Sequence, residues 1–460
     1  MSDYELVIIG GGLSGLAAGI RFARFGGRTL ILEQHYVPGG LNSYYFRQGF
    51  LLETGLHAMT NFAGLKEKHA PLNRLFRQLK LSRKRFTTHQ QFGSQILFAD
   101  QASLLFSNDF SLLEAEICRV FPHAVDGFRK LVTLIDSYDP FTPKPWLSAR
   151  EKLSEVIGDE LFIDMLLCPL MVYGNSAEHD MDFGQFVIMF RAIFQEGFFR
   201  PHGTIRDFLD MLLDHYRSFD GEIRFKTKVR SCIKQNDRIS GVQLESGETI
   251  SCDHLVSTIG WPGTLELLEE KSWEERRKYH GRMSFMETIT ILPQERKKEL
   301  HADQTIIFYN YGPYDYCRPV QPLDPSWGVI CLPENFQGME DREFFQVRVT
   351  NAANYDLWKN ASSEEYGRMK AEWQEKSAAV VSEIIGNYRK NRVYEDSFTP
   401  VTIEKFTAKA EGAVYGSPVK IKDGRTSFEN MFIAGTDQGY LGIVGSMLSG
   451  VTMVNQHVLR

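Results

Sequence analysis

Three glycines, Gly10, Gly12 and Gly15, stand between an apolar run at residues 6–9 and another apolar stretch that closes on an acid, Glu33, and few folds accept that arrangement. The spacing is Gly-x-Gly-x-x-Gly, placed where a strand (6–9) turns into a helix (14–25) before a second strand (28–33). The first glycine permits the tight turn, the second lets backbone approach a pyrophosphate with no Cβ in the way, and the third lets helix and strand pack closely. The helix start, at Leu13 and Ser14, presents free N–H groups and the positive end of the helix dipole to the phosphates. Glu33 lies 18 residues beyond Gly15, where a carboxylate accepts ribose hydroxyls and repels a 2′-phosphate, which disfavours NADP. Strand, helix and acid together predict a dinucleotide site in a Rossmann-like α/β domain.

The rest of the chain bounds what surrounds that site. Its 460 residues suffice for two or three domains. A net charge of −6 with mixed signs gives no footprint for nucleic acid. The basic stretch at 80–85 reads as a solvated helix end, with contact to anionic lipid as the other reading. The six cysteines show no Cys-x-x-Cys pair and no metal-ligand spacing, so no metal site is expected and a reduced cytoplasmic setting fits. Asp3 and Glu5 precede the first apolar run where a signal peptide would carry Lys or Arg. No apolar run reaches the ~18 residues that span a bilayer, so the chain is expected to be soluble or peripheral on a membrane.

A Gly39-Gly40 pair, with Leu41 after it, follows the first unit, and a hairpin (43–47 and 50–53) turns at Gln48-Gly49. Residues 66–200 read as mainly helical, with Leu72, Leu75, Phe76 and Leu79 at helical spacing and Pro122 opening a helix through Phe128, Leu131, Leu134 and Ile135. A helix (204–219), a strand (222–229) and two further strands ending at Gly260 come next, then strands at 283–292, 304–310 and 327–332 that suggest a separate sheet. Ser362 to Glu365 offers a capping box for a long helix to about 389. The chain closes on a strand (431–434), a glycine-rich loop (435–442) and a helix (444–459). Nucleotide-binding pieces thus fall at 1–65, 200–265 and 395–460, with a mixed α+β substrate domain inserted at 66–199 and 266–394.

The first forty residues match the extended glutathione-reductase-type FAD motif, in which the glycine fingerprint and its acid are followed by the Gly-Gly pair. The chain resembles the FAD-dependent oxidoreductases of the phytoene desaturase, carotenoid isomerase and retinol saturase group, relatives of the amine oxidases. Residues 4–62, 197–262 and 411–460 carry the likeness. The resemblance implies a glutathione-reductase-type FAD domain with an inserted substrate domain, and it puts FAD contacts at Gly10, Gly12, Leu13, Ser14, Gly15, Glu33, Gly39, Gly40, Leu41, Val229, Gly260, Gly435, Asp437, Gly442, Ile443 and Val444. Val229 would meet the adenine and Asp437 the ribityl and pyrophosphate. Gly442, Ile443 and Val444 would bring a helix N-terminus under the pyrimidine edge of the isoalloxazine, where it stabilises negative charge. The proline-free loop at 435–445, the single glycine in Phe199-Arg-Pro-His-Gly203 and His57 in Glu53-Thr-Gly-Leu-His57 depart from the desaturase pattern.

Because the cofactor accepts the hydride, the protein must supply orientation, dryness and a proton-handling group. His57 is the first candidate for that group and Tyr440 the second; Glu53, Lys405, Glu411 and Tyr415 are further pocket candidates. The apolar stretches at 161–173 and 183–190 read as core helices, or as lining for a long isoprenoid or a membrane face. The expected activity is desaturation, saturation or isomerisation of a carbon–carbon double bond in a lipophilic, isoprenoid-like substrate. Amine oxidation is the alternative, and a prenyl-lipid-binding chaperone of the same architecture is a third.

Overall fold

The computed structural model describes residues 2–340 and 342–459. Its first sheet forms around the strand Tyr4–Ile9, which pairs in parallel with Thr29–Leu32 on one side and Thr249–Ser257 on the other. Glu222–Arg224 extends this sheet beyond Thr29–Leu32, and Met431–Ile433 joins Thr249–Ser257, again in parallel. These central strands read as apolar runs because both faces are covered. Helices Leu13–Ala23, Ile205–Arg217 and Gly442–Met453 pack one face, and an antiparallel extension, Val229–Gln235 with Arg238–Leu244, completes the sheet.

A second sheet of seven strands runs in the order Tyr394–Phe398, Ser284–Pro293, Phe344–Ala353, Trp327–Cys331, Ile306–Asn310, Ser94–Phe98 and Ala102–Phe106. One face carries the helices between residues 110 and 190, and the long helix Ser363–Ile385 covers part of the other. The predicted capping box is present, with the Ser362 hydroxyl on the Glu365 N–H and the Glu365 carboxylate on the Ser362 N–H. Helices Glu160–Gly174 and Phe183–Phe190 are buried almost throughout among phenylalanines and methionines, so their apolar richness serves the core. Among the described residues no helix is long and apolar enough to cross a membrane.

The structure corrects two expectations and adds two strands. Residues 66–200 are not uniformly helical: Ser94–Phe98 and Ala102–Phe106 form a hairpin that joins the second sheet through Ile306–Asn310, a pairing no local periodicity announces. Residues 222–229 are not one strand, because the chain leaves the parallel sheet after Arg224 and Val229 begins a strand paired with Leu244. The strands Phe344–Ala353 and Tyr394–Phe398 also belong to the second sheet; the first breaks its apolar alternation at Asn351.

Candidate active site

At the first turn the glycines serve different neighbours. A Cβ on Gly15 would lie 2.0 Å from the Gly10 carbonyl oxygen, so packing of helix on strand alone demands glycine there. A Cβ on Gly12 would meet nothing nearer than the Gly39 oxygen at 4.0 Å, so nothing in the protein requires that glycine. Its backbone is bare toward open space at the head of the helix Leu13–Ala23, a cradle that a side chain would fill and a pyrophosphate fits. The Gly-Gly pair docks on this turn directly: Gly39 N–H donates to the Gly11 carbonyl at 3.0 Å and Gly39 forms a β-bridge with Gly12. Gly39 and Gly40 both have positive φ, 108° and 59°, which lets the chain double back against Gly12.

Glu33 is 8% exposed, with one carboxylate oxygen on Gly11 N–H at 2.6 Å and the other on His35 N–H at 2.7 Å. Burial pushes this carboxyl above its ordinary range, and those two N–H groups oppose the shift. Each oxygen keeps a lone pair for a ribose hydroxyl. Backbone bonds from Lys226 to His35 and from Thr227 to Glu33 lay the segment leading into Val229 beside this end of the site.

From Glu33 a cavity of about 430 Å³ runs past Gly40 and Leu41 to His57, Tyr173, Glu287 and Tyr415, with Gly442 and Ile443 on its wall. Seven of the expected residues line it: Glu33, Gly40, Leu41, His57, Tyr415, Gly442 and Ile443. Gly10, Leu13, Ser14, Gly15 and Val444 stand behind it as packing; Ser14 and Val444 are buried, and Gly435, at φ 97°, lies with its would-be Cβ 3.1 Å from the Ser14 hydroxyl.

Asp437 and Tyr440 do not line this cavity. The Asp437 side chain is fully buried and does not line the cavity; its carboxylate accepts the Trp261 N–H at 2.6 Å and the Ser417 N–H at 2.8 Å, with Lys420 Nζ at 4.0 Å. It caps the N-terminus of helix Trp261–Leu268 from across the fold, and Gly260 packs against it. A carboxylate at zero exposure needs such donors. Tyr440 follows Gly439, whose φ of 101° redirects the chain, and stacks on Phe141 at 5.6 Å in a separate pocket. Lys405 and Glu411 are also outside the cavity, whereas Tyr415 lines it.

His57 sits in a network of buried charges. Its Nε2 lies 3.0 Å from Glu287 Oε2, and Glu287 Oε1 accepts Arg348 Nε at 2.6 Å. Arg348 donates also to the carbonyls of Leu56 and Glu53, each at 2.9 Å, while Arg200 bonds the Leu56 and His57 carbonyls and the Glu53 carboxylate. Glu53 caps helix Ile205–Arg217 through the Ile205 N–H at 2.6 Å. Burial would raise the Glu287 carboxyl, but Arg348 and then His57 hold it below its ordinary range. Glu287 and Arg348 are diagonal neighbours on adjacent strands, since Glu287 pairs with Thr350. Sequence reasoning missed both; the available signal was a charged residue inside an otherwise apolar strand.

The sequence also gave no sign of a grouping of His179, Asp315 and Cys317, whose ligating atoms lie within 4.8 Å of one another. The first two are exposed and bonded to each other at 2.7 Å.

A model of the family described as flavin containing amine oxidoreductase matches residues 13–288. Among curated proteins the chain is similar to a chloroplastic prolycopene isomerase of Daucus carota, 24% identical over 55% of this chain and 46% of that protein. It is similar to prolycopene isomerase 1 of an Oncidium hybrid cultivar, 27% identical over 92% of this chain and 77% of that one. The all-trans-retinol 13,14-reductase of Danio rerio aligns at 19% identity over 98% of this chain and 85% of that protein. The matched stretch thus spans under half the length of the carrot protein and most of the other two. A crystal structure of an oxidoreductase from Methanosarcina mazei shares the fold, with a TM-score of 0.67 at 15% identity, over 98% of this chain and 100% of that one.

Proposed function

The chain belongs to the flavin containing amine oxidoreductase family, and from that premise we propose that this FAD-dependent oxidoreductase acts on carbon–carbon bonds of a lipophilic, isoprenoid-like substrate, forming, saturating or isomerising a double bond. The observation that carries this reading is the reach of the Oncidium likeness, 92% of the chain, which takes in the second sheet as well as the nucleotide-binding strands. A likeness confined to the cofactor site would support any flavin chemistry; one that includes the cavity wall supports a related substrate.

In this reading the bare backbone at Gly12 and the helix start behind it hold the pyrophosphate, and Glu33 holds a ribose. Gly40 and Leu41 carry the cofactor along the cavity, and Gly442 and Ile443 bring the N-terminus of the last helix to its far end. FAD, when bound, supplies the acceptor or donor of hydride. The chain's own contribution is at the reacting end. Val172, Phe285, Val329 and Val414 give that end apolar walls, and His57 is the group that takes or gives a proton there.

Amine oxidation is the second reading, favoured by the polar side of the same cavity, where Glu287, Thr350, Tyr173 and Tyr415 gather. The two separate in one experiment. The FAD-loaded protein, its flavin oxidised in one series and reduced with dithionite in another, is incubated without oxygen with a panel of cis-polyenes, partly saturated isoprenoids and retinol, and in parallel with primary and secondary amines, followed by flavin absorbance and chromatography of products. Altered bond number or geometry in a polyene is expected. Bleaching of the flavin by amines with every polyene returned unchanged would replace the first reading with the second.

A further inference from the structure

We propose that Glu287 is the positioning residue of His57, fixing the imidazole with its proton on Nε2 so that Nδ1 is the ring's free acceptor; this rests on the reading of His57 as the proton-handling group. The division of the Glu287 carboxylate supports it. One oxygen faces His57 Nε2 at 3.0 Å and the other faces Arg348 Nε at 2.6 Å, so each has its own partner. A carboxylate held ionised accepts and does not donate, and the hydrogen bond to His57 therefore requires the proton on Nε2. Nδ1 makes no hydrogen bond to any described residue.

Arg348 gives the arrangement its rigidity. It is fully buried and clamps the carbonyls of Glu53, Thr54 and Leu56, the segment that ends in His57, while holding Glu287 against that histidine. Arg200 fixes the same segment from the other side through the Leu56 and His57 carbonyls. The ionised groups around His57 are then Glu53, Glu287, Arg200 and Arg348, two of each sign. A proton taken up at Nδ1 leaves an imidazolium whose nearest charge is the Glu287 carboxylate. Glu287 and His57 are 230 residues apart, one in a strand of the second sheet and the other in the loop after Phe50–Glu53, so the proton-handling unit forms only when the second sheet docks on the nucleotide-binding part.

The test uses full-length, FAD-loaded protein with ¹⁵N-labelled histidine and long-range ¹H–¹⁵N correlation spectra across a pH titration. The His57 signals are those absent from H57Q. In the wild type the neutral ring is expected to carry its proton on Nε2 with Nδ1 bare. In E287Q the ring is expected to populate both tautomers, having lost the carboxylate that accepts only from Nε2. A wild-type ring protonated on Nδ1, or an E287Q spectrum identical to wild type, would overturn the proposal. If E287Q does not fold, E287D keeps a charge beside Arg348 while drawing the carboxylate back by one methylene, and it is expected to release the tautomer likewise. With a competent substrate E287Q lowers kcat about 10- to 100-fold with KM unchanged. If no polyene is turned over even by the wild type, the substrate reading fails while the spectra still decide the role of Glu287.

Discussion

Gly12 and Gly15 are three residues apart, and the structure gives the same residue type opposite reasons for being there. Gly15→Ala forces a Cβ to 2.0 Å from the Gly10 oxygen and is expected to destabilise the apoprotein by at least the ~1–3 kcal/mol typical of overpacking. Gly12→Ala meets no protein atom closer than 4.0 Å, so the apoprotein should keep its melting temperature while FAD affinity falls by about 10- to 100-fold. Melting curves and flavin titrations of both variants check the contrast, and equal loss of stability in the two would contradict it. A second residue-scale expectation concerns Glu196, which accepts Asn61 Nδ2 at 2.7 Å and whose carboxyl burial lifts to about 7. Its folded pKa lies above its unfolded one, so the folded state retains a proton the unfolded chain has released. Stability therefore falls as pH rises from about 4.5 to 7 and the full cost stands above pH 7. Glu196→Gln, which still accepts from Asn61, should raise stability by ~1–2 kcal/mol at pH 8 and leave it unchanged near pH 4. Denaturation midpoints at the two pH values measure it, and an equal change at both would contradict the assignment.

At the scale of elements, the first and last helices meet through backbone. A Cβ on Gly450 would lie 2.0 Å from the Ser14 carbonyl oxygen, so helix Gly442–Met453 lies directly on the start of Leu13–Ala23, with buried Ser14 and Val444 between them and the core. Gly450→Ala should push the helices apart at a cost of ~1–3 kcal/mol and lower the flavin content of purified protein, because Gly442 and Ile443 move with their helix. Full stability together with full flavin content would show that the close approach is dispensable. The elements also show where local pattern is informative. The fingerprint unit, the hairpin Tyr44–Arg47 with Phe50–Glu53 and the capped helix Ser363–Ile385 were legible because turn glycines, alternation and a capping box act within a few residues. The hairpin at residues 94–106 and the strand Phe344–Ala353 were not, since the strands that seat them in the sheet, Ile306–Asn310 and Ser284–Pro293, lie far along the chain and Asn351 breaks the alternation of the second.

For the whole molecule, the segment from Glu53 to His57 joins the two sheets, gripped by Arg200 and Arg348. Removing one member of such a buried set leaves its partner charged and unpaired, which costs ~3–5 kcal/mol. Arg348→Met is expected to lose about that much in a denaturant titration. Adding Glu287→Met should recover roughly half of it, the rest being the carbonyls of Glu53, Thr54 and Leu56 left without their donor. Additive losses in the double variant would show that the two side chains do not depend on each other.

The sequence by itself determined the dinucleotide-binding turn, its acid, the docking Gly-Gly pair and the closing glycine-rich loop with its helix. Each is a short-range device, set by φ freedom, hydrogen-bond donors and dipole direction within a few residues. Only the tertiary structure decided that Asp437 caps the helix Trp261–Leu268, that Tyr440 stacks on Phe141 in another pocket, and that His57 faces Glu287. The physical reason is the same in all three. A buried carboxylate, phenol or imidazole goes where partners for its polar atoms and its ring are found, and those partners come from segments that meet only when the sheets and helices pack.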